Sequence, residues 1–312
     1  MTPAPVLGRP RRAAWKRASE RILAGAGLPR LARATRARHG IILAYHNIVP
    51  DGTDVGGDAP LHLPRRSFAA QLDHLTRHFR VVPLDRLLEG GRPAGGRPLA
   101  AITFDDAYRG AVTLGVAELV DRGLPATIFV APALLGRPAF WWDALARPGA
   151  GLDPALRRQA LGEHAGDDEA VRRLAERLGV EARDVPRVAA PADPEELEAL
   201  VGLPGIAFGS HSWSHRALDA LAGAALDEEL ERPLAWIRAH LHPAVPWLSY
   251  PYGLSSPEAE GRAAAIGYRA ALRVEGGPLP RRPRNPFALP RVNVPAGVSA
   301  RGFALRAAGL VN

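Results

Sequence analysis

Eight short apolar runs, most of them closing on polar residues, constrain the fold of this chain more than any other feature. They are GIILAYHN (40–47), FRVVPLD (79–85), LAAITFDD (99–106), PATIFVAP (125–132), GIAFGSHS (205–212), PWLSYPYG (246–253), RAALRV (269–274) and FALPRVNV (287–294). They lack the apolar–polar alternation of a half-solvated strand, so each predicts a strand buried on both faces. Helical periodicity fills several gaps, in SFAAQLDHLTRHF, GAVTLGVAELVDRG and LDEELERPLAWIRAHL, and Gly123 behind the second of these reads as a helix C-cap. Strands of this kind interleaved with helices predict an α/β fold: a (β/α) barrel, distorted or of seven to eight strands. The 312 residues, 47% of them hydrophobic, are enough to build it.

Residues 139–202 break the rhythm. They carry FWWDALARPGA, then acidic and Arg-rich helical stretches and VAAPADPEELEAL, with no strand pattern among them. The expectation is a helical insertion over one mouth of the barrel. The chain then divides into a basic N-terminal arm (1–38), a barrel (39–295) interrupted by 139–202, and a C-terminal helix or tail (296–312).

In barrels of this class catalytic groups stand at the C-terminal ends of the strands. The residues that follow the apolar runs are His46, Asp105, Asp106, His211, His215, Tyr252 and Arg291. The chain has no cysteine, so any metal must be held by His, Asp or Glu. His211 and His215 lie four residues apart, a spacing that on a helical turn puts both imidazoles on one face, where they can share an ion. The neighbouring carboxylates of Asp105 and Asp106 repel one another unless a cation stands beside them. One then serves as a ligand and the other as a base toward a water whose pKa the ion lowers. Capping the next helix is the competing role for an aspartate here. It accounts for one of the two and leaves the other without a purpose. Trp141 and Trp142 either stack on a sugar or anchor the insertion to the barrel.

The formal net charge of +8 is almost all arginine, Lys16 being the single lysine. Much of the excess sits in the first 38 residues, where Arg9, Arg11, Arg12, Lys16, Arg17, Arg21, Arg30, Arg33, Arg36 and Arg38 face only Glu20. Such an arm suits anionic headgroups or a phosphate-bearing partner, or is simply solvated. No specific nucleic-acid motif accompanies it. No apolar run opens the chain at the ~7–15 residues of a secretion signal, and none approaches the ~20 of a membrane span. The expected location is the cytoplasm, with the arm offering peripheral contact to the inner membrane face.

TFDD at 103–106, HSWSH at 211–215 and YPYG at 250–253 resemble three motifs of the polysaccharide deacetylases, the NodB-homology or carbohydrate esterase family 4 fold. LAYHNIVPDG and SFAAQLDHLTRHFRVVPLDRLL are similar to the N-terminal part of members acting in surface-polysaccharide synthesis. The resemblance spans residues 40–295, interrupted by the insertion. It implies a NodB-type barrel with Asp105 as general base and with Asp106, His211 and His215 as metal ligands. It also implies that the Tyr252 backbone N–H meets the oxyanion. A two-His, one-Asp set fits Zn2+ first, with Co2+, Mn2+ or Fe2+ also compatible. Tyr45, Trp213, Tyr250 and Trp142 are the aromatic candidates for substrate contact.

The chain departs from the family pattern at two points. Ser249 stands where members usually carry an arginine that orients the base, and no downstream Asp–Trp pair follows residue 253. Arg291 is the candidate for the missing cation. No histidine follows His242 to act as general acid, so His46 is the substitute by position. His62, His74, His78, His164, His240 and His242 read as surface or helix residues. The function expected is metal-dependent removal of an N-acetyl group from a hexosamine-containing polysaccharide or lipid-linked glycan precursor. Deformylation or another C–N hydrolysis on a lipid-linked sugar, and non-catalytic carbohydrate binding on the same fold, are the alternatives.

Overall fold

The structure, a computed structural model, describes residues 40–88, 96–280 and 282–311. The basic arm, and the membrane contact expected of it, lie outside the described residues. The described residues form ten strands: β1 (Ile41–Tyr45), β2 (Asn47–Val49), β3 (His62–Pro64), β4 (Arg80–Val81), β5 (Leu99–Phe104), β6 (Ala126–Val130), β7 (Ile206–Ser210), β8 (Ala244–Ser249), β9 (Ala270–Gly276) and β10 (Leu289–Asn293). Each of the eight apolar runs contributes one strand to a single parallel sheet in the order β1-β10-β9-β8-β7-β6-β5-β4. The sheet closes because β1 also pairs with β5, from Ile41 opposite Ala100 to Tyr45 opposite Phe104. Seven strands therefore form a barrel.

The eighth, β4, is a two-residue stub outside that closure. With β1 on one edge of β5, the other edge is divided: β4 holds Leu99 and Ala100, and β6 takes over from Ile102. β1 and β6 are buried along their whole length, as unalternating apolar strands require.

Helices cover the outside. Arg65–His78 buries Phe68, Leu72 and Leu75, which recur at helical spacing. Gly223–His240 buries Leu226, Glu229, Leu230, Leu234 and Ile237. The run after Asp106 opens as a π-helical turn, Ala111–Gly115, before becoming α-helical over Val116–Val120. Gly123 behind it has φ +60°, the left-handed conformation of a helix-ending glycine. Residues 139–202 form the helices Trp141–Ala144, Pro154–His164, Asp168–Arg177 and Pro194–Glu198, and Ala300–Ala307 packs near the chain end. The small parallel pair β2–β3 had no apolar run to announce it. No described helix is long and apolar enough to cross a membrane.

Candidate functional site

The strand ends converge at one mouth of the barrel, and there the backbone is bent hard. Asp105 continues the β5 ladder, its N–H donating to the Tyr45 carbonyl at 2.9 Å. Asp106 (φ 69°) and Ala107 (φ 51°) then turn through left-handed conformations. His211 likewise continues β7, donating to the Val130 carbonyl at 2.8 Å, before Ser212 (φ 63°) and His215 (φ 62°). Tyr252, in the turn behind β8, has φ 58°. Non-glycine residues in this region cost about 1–3 kcal/mol each and persist only where surrounding contacts enforce them. Ala165 (φ 49°) is the other non-glycine with positive φ among the described residues, and the neighbouring Gly166 packs against Tyr252. The two histidines are thus presented by a strained loop. The helical turn expected from their spacing is absent, because two left-handed residues cannot sit inside a right-handed turn.

That loop aims both imidazoles at one oxygen. Asp106 Oδ1 lies 3.2 Å from His211 Nε2 and 3.0 Å from His215 Nε2, and all three side chains are buried. The three ligand atoms fall within 4.8 Å of one another, the single cluster of its kind among the described residues. His211 Nδ1 donates to the Ser249 carbonyl at 2.7 Å. A carbonyl only accepts, so Nδ1 carries the proton and Nε2 of the neutral ring presents a lone pair to the carboxylate. Two acceptors at this distance repel unless a proton or a cation joins them. Two nitrogens and one carboxylate oxygen on one centre, with coordination positions to spare, fit a divalent cation.

Arg291 reaches across the barrel from β10 to the other aspartate. Its Nη1 donates to Asp105 Oδ1 at 2.8 Å and to Thr103 Oγ1 at 3.1 Å. Its Nη2 donates to Asp105 Oδ2 at 2.6 Å and to Ser249 Oγ at 2.9 Å, and its Nε to the Arg273 carbonyl at 2.7 Å. All five guanidinium donors are used, which a fully buried arginine requires. Ser249 is therefore small where a second arginine would meet the first. Burial pushes the Asp105 carboxyl up, but the Arg291 charge and the Arg291 hydrogen bonds outweigh it and hold it below the ordinary carboxylate range. Burial also raises Asp106, and its contacts with the two histidines bring it down further still.

His46, between β1 and β2, feels the charges of Asp106, Asp105, Arg291 and His211. Burial nevertheless keeps its pKa below the ordinary imidazole value, so its resting ring is neutral. The Tyr252 and Trp142 rings lie against His215, each with its centroid at 4.7 Å.

Of the other aromatic candidates, two lie in the core and one in the loop between the two histidines. Tyr45 is buried between Phe68 and Phe104, at 5.1 and 5.7 Å, and cannot touch a substrate. Tyr250 is also buried, its hydroxyl spent on the Phe287 carbonyl at 3.0 Å. The Trp213 ring carries the Arg232 guanidinium 3.8 Å above its centroid. The apolar pull of the core explains the correction for the two tyrosines, whereas Trp213 is half-buried and carries Arg232 on one face only.

Two groups escaped the sequence reading. His62 is buried, not a surface or helix residue, because Asp143 Oδ1 and Asn47 engage its two ring nitrogens. Glu229, also buried, accepts from the backbone N–H groups of Trp213 and Ser214 at 3.0 and 2.9 Å and from the Ser214 hydroxyl. It clamps the loop between the two histidines. Its signal was an acid on the apolar stripe of a helix, between Leu226 and Leu230. Charged-group hydrogen bonds contribute roughly 1.5–3 kcal/mol each. Glu229→Ala is therefore expected to lower the melting temperature and, in metal titrations, to weaken binding, whereas Glu229→Gln keeps an acceptor and loses less. Unchanged metal affinity in a folded Glu229→Ala protein would show that the loop holds its shape unaided.

Comparison with known proteins identifies the family and the fold. The family model described as polysaccharide deacetylase matches residues 92–271. The fold is similar to Streptococcus pyogenes deacetylase PplD in complex with acetate, at 15% identity and TM-score 0.61, covering 86% of this chain and 97% of that one. It is similar also to IcaB from Ammonifex degensii, at 19% identity and TM-score 0.58, covering 86% and 97%. The deacetylase domain of BpsB from Bordetella bronchiseptica matches at 17% identity and TM-score 0.55, covering 83% and 96%. Among curated protein sequences none matches the chain.

Proposed function

Because the chain belongs to the polysaccharide deacetylase family, we propose that it is a metal-dependent hydrolase that removes an N-acetyl group from a hexosamine unit of a glycan or of its lipid-linked precursor. The observation that carries the reading is the buried Asp106–His211–His215 cluster with the Arg291-oriented Asp105 carboxylate beside it. Asp106, His211 and His215 would hold a divalent cation, zinc first, which would supply Lewis-acid charge to the reaction.

The protein's own groups do the rest. Asp105 is ionised, and its two oxygens are fixed by the guanidinium fork, so it is poised to take a proton from water. Water adds to the carbonyl carbon, and the negative charge collects on the carbonyl oxygen. The left-handed Tyr252 is the candidate to aim its N–H at that oxygen. Collapse breaks the C–N bond and releases acetate, and the departing amine needs a proton. We assign its delivery to His46. Neutral at rest, that ring acts as an acid only once the proton that Asp105 took from water has been passed to it, so its turn comes second and its transfer to the amine returns both groups to their starting state.

The Arg291–Asp105 pair weighs against a non-catalytic role, since Arg291 supplies the base-orienting cation that position 249 lacks. The test is acetate release from N-acetylglucosamine oligomers, measured beside formate release from N-formylated analogues and acetate release from an O-acetylated glycan. Acetate from the N-acetylated substrate, abolished by a chelator and restored by zinc or cobalt, supports the reading. Formate alone would move the assignment to deformylation, and no release with any added metal would count against hydrolysis.

A further inference from the structure

Accepting His215 as a metal ligand, the structure raises the question of what holds its ring. His211 is oriented in the usual way, by a hydrogen bond from its far nitrogen to the Ser249 carbonyl at 2.7 Å. His215 is not. Its Nδ1 is buried and has no hydrogen-bond partner among the described residues. The ring is instead boxed by aromatic neighbours: Trp142 at 4.7 Å and 42°, Tyr252 at 4.7 Å and 81°, and His211 at 4.7 Å and 78°.

Trp142 is itself anchored on two sides. Its ring stacks on Phe140 at 4.6 Å and 9°. Its Nε1 donates to the Tyr108 hydroxyl at 2.7 Å, which in turn donates to Asp143 Oδ2 at 2.7 Å. Asp143 Oδ1 receives His62 Nε2 at 3.0 Å and the Asp58 N–H at 2.8 Å. His62 Nδ1 meets the Asn47 amide at 3.0 Å, and that amide also donates to the Val188 carbonyl at 3.1 Å. An amide nitrogen donates only, so His62 accepts at Nδ1 and donates from Nε2. Every link from Asn47 to the indole then has one assignable direction.

The chain is buried and tightly walled. A Cβ on Gly57 would come within 2.9 Å of Asp143 Cγ and 3.0 Å of His62 Nε2, so even a methyl group would push the carboxylate off its partners. Burial holds the Tyr108 hydroxyl pKa well above its ordinary value, which keeps its proton in place as the donor to Asp143. Deacetylation as derived above uses none of Asn47, His62, Asp143 or Tyr108, yet their chain ends on the indole facing a ligand.

We propose that Trp142, locked by the Asn47–His62–Asp143–Tyr108 chain, is a positioning residue that sets the ring orientation of His215 in place of the missing hydrogen bond. Since Trp142 and Asp143 both come from residues 139–202, the insertion completes the metal site. The proposal rests on the metal-dependent reading of the previous subsection.

Its test reads the metal, not turnover. Cobalt is bound to wild type, Trp142→Phe, Trp142→Leu and Tyr108→Phe, with the dissociation constant taken by competition and the ligand geometry from the visible cobalt absorption. Outer-shell changes at metal sites typically cost 10–100-fold in affinity. Trp142→Leu is expected to lose about that much and to alter the cobalt spectrum, because the indole face is gone from one side of His215 and Tyr252 and His211 alone remain against it. Trp142→Phe, which keeps a ring, should recover most of both. Tyr108→Phe, which frees the indole nitrogen while sparing the ring, should fall between them. A folded Trp142→Leu with wild-type affinity and spectrum overturns the proposal. Should that variant fail to fold, an unchanged spectrum and affinity in Tyr108→Phe overturns it equally. A wild-type protein that binds no cobalt defeats the metal-dependent reading itself, and the two failures are told apart by that control.

Discussion

Replacing Arg291 by methionine should lower turnover by about 100-fold or more while leaving the metal site able to bind its ion. The guanidinium makes two hydrogen bonds to Asp105, at 2.8 and 2.6 Å, and is fully buried. Removing one partner of a buried ion pair costs roughly 3–5 kcal/mol, because the other charge is left stranded. Set against a typical folding stability of about 5–15 kcal/mol, the variant should fold with a clearly lower melting temperature. The carboxylate then loses its orientation, and a base misplaced by about 1 Å can lose about 100-fold in rate. Arg291→Lys should retain more stability than methionine but little more activity, since an ammonium cannot match the two-pronged geometry.

A compensating exchange sharpens the case. Ser249 Oγ is 2.9 Å from Arg291 Nη2, so an arginine grown from β8 points its head at the same carboxylate. Ser249→Arg combined with Arg291→Ser should recover part of the stability and turnover lost in the single Arg291 variants. Unchanged turnover in Arg291→Met would remove Asp105 orientation from the account.

The second large effect is expected at the base itself. Asp105→Asn keeps the shape of the side chain and removes its ability to take a proton. General-base contributions run about 10²–10⁴-fold, and kcat should fall within that range or below. The metal should stay, because Asp105 lies outside the cluster formed by Asp106, His211 and His215. Stability should fall too, since Arg291 keeps its charge in a buried position without a full counter-charge. If Asp105→Asn instead loses the ion and keeps turnover after metal loading, the roles of the two aspartates are exchanged.

Much of this was legible in the residues. All eight runs announced strands, although only β1 and β6 are buried along their whole length while β4 is exposed at Arg80 and β9 at Arg273 and Glu275, and the residues closing the runs marked the working end of the barrel. Arg291 could be suspected because a charge inside the apolar run FALPRVNV cannot stay unpaired in a closed sheet. The rest was hidden for physical reasons. Ser212 and His215 take left-handed backbone that neither residue type advertises, so spacing alone suggested a helical turn. β2 and β3 have three residues each and are held by one another, with no periodicity to show it. Tyr45 and Tyr250 lie within LAYHNIVPDG and YPYG but turn into the core, a choice of face that the apolar runs do not encode. The chain from Asn47 through His62, Asp143 and Tyr108 joins residues up to 96 positions apart in the numbering, from Asn47 to Asp143, and only the fold brings them together.

Metal content by elemental analysis tests the central claim most directly, comparing the purified protein with Asp106→Ala, His211→Ala and Asp105→Asn after exposure to zinc and desalting. The expected result is about one ion per chain in the wild type and in Asp105→Asn, and none in the other two, in keeping with a site of two imidazoles and one carboxylate. A folded wild-type protein that retains no zinc, or Asp106→Ala and His211→Ala variants that retain as much as it does, would contradict the site described here.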